Sequence, residues 1–168
     1  VVIANAAAAR GSAYVITASE GGTLHLDRLR QRPQDFDPDT RERLMAGALT
    51  PAAWYIKAQR FRRVFRAQTL KLFDEVDVIL APATPTTAPS LGQKMMSIAG
   101  AEMPVRANLG IFTQPISFIG LPVVAVPIQR PGGLPIGVQV IARPFNEQAA
   151  LRVAAWLEKE GICAAPPA

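Results

Sequence analysis

The stretch DVILAPATPTTAPS, residues 77–90, decides the fold. It begins with the unbroken apolar run Val78-Ile79-Leu80-Ala81 and continues through Pro82, Pro85 and Pro89. A short apolar run bounded by turn residues predicts a strand buried on both faces. Each proline removes a backbone donor and biases the residue before it to extended geometry, so Ala83 to Ser90 is expected to be neither helix nor central strand. It reads as a loop leaving a strand end, and in α/β sheets such loops commonly form ligand clefts. Thr84, Thr86 and Thr87 are therefore pocket candidates, with a rigid structural spacer as the competing reading.

Downstream, the sequence repeats the strand signal twice. Val123 to Ile128 reads as a strand in which Pro127 demands an edge or a bulge, and Ile136 to Ala142 as another. The turn-rich link Arg130 to Pro135 lets them pair antiparallel as a wide hairpin. Gly132-Gly133 is no phosphate loop, because prolines flank it and neither a lysine nor a helix start follows. Phe112 to Pro122 embeds Thr113, Gln114 and Ser117 among apolar residues and reads as a second loop. Between the loops, from Leu91 to Ile111, the signal is poor, and Met95, Met96 and Met103 are expected to be adaptable core filler. A closing helix is clearer: Asn146 as cap, Glu147 in the first turn, Ala150, Val153, Ala154 and Leu157 inward with Trp156 beside them, and Gly161 as the stop.

Upstream, the pattern is helical. Ala6 to Glu20 predicts a short helix stopped by Gly21-Gly22, followed from Asp27 to Asp39 by an exposed, charged connection with little core. Asp37-Pro38 and Thr50-Pro51 each place a cap and a first-turn proline, which predicts a helical hairpin. Trp54, Ala58, Phe61, Phe65 and Leu72 fall on one side of its second helix as core, and Arg62, Arg63 and Arg66 turn away, as a solvated face or a polyanion site. The expected architecture is α/β: one partial domain over residues 1–168, mainly helical over 1–75, with strands and a closing helix over 76–168. Val1-Val2-Ile3, an apolar opening without methionine, is expected to be the continuation of something longer.

Composition narrows the function. With 168 residues, 49% of them hydrophobic and 18% charged, the chain can bury a full core. Its +5 charge comes from 18 Lys and Arg against 13 Asp and Glu, a modest surplus with no basic tail. Basic residues are not interleaved with aromatic ones in a nucleic-acid pattern, so no nucleic-acid partner is expected. No apolar run approaches the roughly 18 residues that cross a bilayer, and no signal peptide opens the chain, so a cytoplasmic location is expected, off the membrane. The single cysteine, Cys163, and the single histidine, His25, supply neither a disulfide nor a zinc site, and no metal or cofactor is expected. His25 reads as structural. Asp74, Glu75 and Asp77 read as solvated turn charge rather than an acid–base pair.

Three segments carry a resemblance. Asp77 to Pro85, Phe112 to Pro122 with the strand after it, and Gly133-Leu134-Pro135-Ile136-Gly137-Val138-Gln139-Val140 followed by Glu147 and a closing helix together resemble the C-terminal part of an amidase signature hydrolase. Phe36 to Arg41, Pro51 to Trp54 and Ala58 to Arg63 resemble its 1-carboxybiuret hydrolases of cyanuric acid breakdown, relatives of the glutamyl-tRNA amidotransferase A subunit. The resemblance implies a mixed sheet flanked by helices. It also implies cleavage of an amide or ureido carbon–nitrogen bond by a serine nucleophile, a bridging serine and a lysine base, with oxyanion donors in a Gly-Ser-rich loop. None of those motifs is present, so no catalytic residue is assigned and the chain alone is expected to be inactive. What it is expected to supply is sheet and one pocket wall, with Thr84, Thr113, Gln114 and Ser117 as substrate-binding candidates; Ser117 stands where many relatives have asparagine. The implied partners are a small amide or ureido substrate, the N-terminal part of the amidase, and a homodimer mate or a small helper subunit. The alternative is a non-catalytic binding module on the same scaffold.

Overall fold

A computed structural model describes residues 1–164. The chain divides into two compact units, one formed by Ala4–Ala67 and the other by Val1–Ile3 with Gln68–Ala168.

The first unit is helical, with α1 (Ala6–Leu24), α2 (Leu26–Gln31), α3 (Pro38–Ala48) and α4 (Ala52–Leu70). Helix α3 starts as its sequence demands: Pro38 occupies the first turn, and the Asp37 side chain accepts from the Thr40 backbone N–H at 3.1 Å. Helix α1, however, runs through Gly21-Gly22 and ends only at His25. Those glycines admit a neighbour instead of stopping the helix. A Cβ on Gly22 would lie 2.4 Å from the Leu44 carbonyl oxygen and 2.5 Å from the Ala48 nitrogen, and one on Gly47 would lie 1.9 Å from the Ala18 carbonyl oxygen. Helices α1 and α3 thus meet backbone to backbone, and the extensive packing of α3 is on α1, in place of the expected hairpin with α4.

Two further expectations change here. The charged stretch after Asp27 is not bare connection: it holds α2, which buries Leu29, and a 3-10 turn over Pro33–Asp35. On α4, Ala58 and Phe65 are buried and Phe61 stacks on Phe65, but Trp54 is 63% exposed. It sits in the first turn, one turn short of the packed part of its own stripe. His25 serves structure, lying edge-on to Phe36 at 5.7 Å.

The second unit is built on β1 (Val78–Pro82), β2 (Met95–Ile98), β3 (Ala101–Pro104), β4 (Val123–Arg130) and β5 (Gly133–Ala142). Strand order in the main sheet is β1-β5-β4. Both of its pairings and that of the β2-β3 ribbon are antiparallel, as the hairpin of the two apolar runs was expected to be. Strand β5 is central, which is why Val140, Ile141 and Ala142 lie at 0% exposure. Strand β1 is an edge among the described strands, so it alternates, with Ile79 buried and Leu80 54% exposed, instead of being buried on both faces. Pro127 sits on the other edge strand, with a register irregularity between Ile128 and Arg130, as a ladder proline requires. The hairpin is tight rather than wide: only Pro131 and Gly132 separate β4 from β5.

Helix α7 (Glu147–Lys159) covers one sheet face, placing Ala149, Ala150 and Leu157 against Val126, Val140 and Ala142. Each buried Val or Leu there contributes about 1.5–3 kcal/mol. Gly161, at φ +68°, closes the helix as expected. Its N–H bonds the Glu158 carbonyl at 3.0 Å and the next N–H reaches the Leu157 carbonyl at 2.9 Å, a Schellman cap. Trp156, expected beside the inward stripe, is 54% exposed. Cys163 is buried, bridged through its backbone to Ile128.

The poorly signalled stretch contains the β2-β3 ribbon, turned by Ala99 and Gly100 with φ of +49° and +81°. Positive φ at both central residues suits the twist of a two-residue hairpin. Met96 is buried in it, facing Met103, whereas Met95 is 47% exposed. The filler reading thus holds for Met96 but misses the ribbon.

Replacing Gly22 with alanine should lower the unfolding free energy by about 3 kcal/mol through forced separation of α1 and α3. Gly11→Ala on the same helix meets open space and should stabilise by about 0.5–1 kcal/mol. Urea denaturation of both variants measures the contrast.

Candidate functional site

Four candidate residues belong to two segments that meet at one side chain. Thr84 lies two residues past the end of β1, and Thr113 immediately precedes α6 (Gln114–Phe118), reached through the short α5 (Val105–Asn108). Between them stands Gln139 of β5, 2% exposed. Its Nε2 donates to the Pro82 carbonyl oxygen at 2.8 Å and to the Phe112 carbonyl oxygen at 3.3 Å. A carboxamide NH2 carries two donors, so one group can serve both carbonyls. Alternation along β5 puts Gln139 and Ile141 on the face opposite Val140 and the α7 contacts.

Each candidate has a local role. The Thr84 hydroxyl donates to the Thr86 carbonyl at 2.8 Å, which rigidifies the proline loop. Thr113 donates from Oγ1 to the Gly110 carbonyl at 3.4 Å, and its own carbonyl accepts from the Ser117 N–H at 2.9 Å. Gln114 and Ser117 are helical rather than in a loop: Pro115 in the first turn of α6 favours the helix start there. Gln114 is half-buried and Ser117 exposed. The two segments carry hydroxyls, an amide and backbone carbonyls, groups of the kind that orient a small polar molecule without reacting with it.

Gln139 is the residue that sequence reasoning missed. The signal existed: a lone amide in a strand otherwise made of Val138, Val140 and Ile141 is a buried polar group in need of partners. Asp74, by contrast, behaves as expected of turn charge. It is exposed and pairs with Arg143 at 3.0 Å, and the same guanidinium donates to the Phe73 carbonyl. Such a pair is worth at most about 1 kcal/mol.

The helical unit has a groove of its own, lined by Gly11, Ser12 and Val15 of α1 and by Trp54, Lys57 and Phe61 of α4. Ser12 and Lys57 both line this groove. Among the described residues no three His, Cys, Asp or Glu side chains cluster as a metal site, and no helix is long and apolar enough to cross a membrane.

Comparison with known proteins completes the description. A family model described as Amidase matches residues 2–151. The chain is 52% identical over 156 residues to the AtzE subunit of 1-carboxybiuret hydrolase from Pseudomonas sp. (strain ADP), covering 91% of this chain and 34% of that protein. It is 37% identical over 147 residues to the A subunit of glutamyl-tRNA(Gln) amidotransferase from Zymomonas mobilis subsp. mobilis, covering 83% of this chain and 29% of that one. A solved structure described as "An unexpected vestigial protein complex reveals the evolutionary origins of an s-triazine catabolic enzyme" superposes with a TM-score of 0.92 at 49% identity, over 97% of this chain and 36% of the other. The chain therefore spans about a third of the length of these relatives.

Thr84→Ala should cost about 1 kcal/mol through the lost bond to Thr86, whereas exposed Ser117→Ala should stay within about 0.5 kcal/mol of the parent. Equilibrium urea unfolding followed by tryptophan fluorescence separates the two.

Proposed function

The chain belongs to the amidase family, and on that premise we propose that it forms the C-terminal part of a carbon–nitrogen hydrolase acting on an amide or ureido bond of a 1-carboxybiuret-like substrate. The 52% identity to a carboxybiuret hydrolase subunit carries this reading. The family match takes in both loops that Gln139 joins.

Acyl transfer from nitrogen needs an activated nucleophile, a base and donors aimed at the developing oxyanion. In this proposal a serine nucleophile, a bridging serine and a lysine base come from sequence preceding Val1. Residues 1–168 supply sheet, closing helix and one pocket wall. Thr84, Thr113, Gln114 and Ser117 then offer hydrogen bonds to the carbonyl and N–H groups of a small planar substrate. Groups that bind substrate without following the charge that develops in the transition state lower KM more than they raise kcat. The proposed setting is the cytoplasm, with no cofactor, and the proposed partner is a small helper subunit or a second copy.

A non-catalytic module on the same scaffold is the other reading, favoured by the absence of a joined nucleophile and base among the described residues. Ammonia release from biuret-type and simple carboxamide substrates distinguishes the two. Hydrolysis by the protein extended upstream of Val1, and none by residues 1–168 alone, is the expected result. Activity in the short chain would overturn the division of labour, and silence in both would favour the module.

A further inference from the structure

We propose that Gln139 is a positioning residue that sets the spacing between the two substrate-facing segments, so that Thr84 on one and Thr113, Gln114 and Ser117 on the other act as a single wall. The proposal rests on the assignment of these segments to the substrate pocket.

Burial is the first support. Gln139 is 2% exposed in a strand whose neighbours Val140 and Ile141 are at 0%. Carrying a carboxamide into such surroundings is unfavourable unless its N–H groups are used, and packing alone would be served by leucine or methionine. The second support is where its bonds land. Pro82 is the last residue of β1 and Phe112 lies in the turn before α6, so both carbonyls sit where the chain leaves regular structure. They are 57 and 27 residues from Gln139 along the chain, and no local sequence preference could set their separation. The third is chemical fit. The two partners are both acceptors, which a single NH2 satisfies and a carboxylate, hydroxyl or thioether does not. Asparagine has the same amide on a side chain one methylene shorter. Strand β5 is central and paired on both sides, so the amide is mounted on the stiffest element of the sheet. The two attached segments inherit its position.

Hydrogen–deuterium exchange on the chain carrying Gln139→Met tests the coupling. Amides over 83–90 and over 109–120 should exchange faster together, by roughly tenfold, the factor matching one net hydrogen bond. Protection in α7 and in the α1-α3 pair should persist. Faster exchange in one segment only, in neither, or uniformly across the chain overturns the proposal. Should the methionine variant not fold, Gln139→Glu keeps the size, replaces the donating NH2 by an acceptor, and is expected to release the same two segments. Val140→Ala, from the opposite face of β5, is the comparator and should loosen α7 while leaving both segments protected.

Kinetics of the upstream-extended protein supply the second arm. Gln139→Met should raise KM about tenfold and change kcat less than about threefold, while Val140→Ala leaves KM unchanged. A fall in kcat at constant KM overturns the positioning role. An extended parent protein without hydrolase activity overturns the proposed function instead, and the exchange result then decides the coupling alone.

Discussion

Strand β5 is the member on which the second unit depends. Strands β1 and β4 both pair with it and not with each other. It lies under α7 on one face and carries the amide that ties two irregular segments on the other. A strand in this position has its backbone polar groups used in two ladders, and its side chains can be apolar on both faces, which is what Val140, Ile141 and Ala142 are. The single departure from that rule, Gln139, is the residue through which the sheet reaches the candidate pocket. Sheet packing and the tie between the two segments therefore rest on neighbouring positions of one strand.

This arrangement suits the function proposed above, in which binding and reacting groups are divided along the chain. A reacting centre tolerates little displacement, and residues that bind substrate work best when held on a rigid element. Here the threonines and the α6 residues lie in short, proline-marked segments that would wander if left alone. A proline in each segment restricts the backbone locally, and the Gln139 bonds restrict it globally. Residues 4–67 hold 11 Lys and Arg against 6 Asp and Glu, whereas residues 68–168 hold 7 of each, so the +5 surplus belongs to the helical unit.

What was legible in the sequence was chiefly local. The cap at Asp37, the closing helix with its Gly161 stop, the three main strands and the edge placement of Pro127 each follow from chemistry within a few residues. The misreadings share one cause, that a local signal has more than one tertiary use. Gly21-Gly22 is a helix stop in isolation and a contact surface once Gly47 and Leu44 approach. Thr50-Pro51 starts a helix, but nothing local says that α3 packs on α1 instead of on α4. Trp54 and Trp156 have the size of core residues and are 63% and 54% exposed. The candidate site was half legible. Thr84 and Thr113 lie in irregular segments as expected, Gln114 and Ser117 were assigned to a loop when they are helical, and Gln139 was passed over because a strand signal conceals its one polar member. Its partners lie 57 and 27 residues away, beyond any window of periodicity.

The outer edge of β1 leads somewhere different. Among the described strands nothing pairs with it, and Leu80 stands there 54% exposed. An open row of backbone donors and acceptors beside an apolar side chain is a template for any other strand, including another copy of β1. Growth by such pairing depends on encounter, so its rate rises steeply with concentration. A solution of this chain should therefore have a shelf life set by how concentrated it is, and a charged residue in place of Leu80 would lengthen it without touching the strand's bonds to β5.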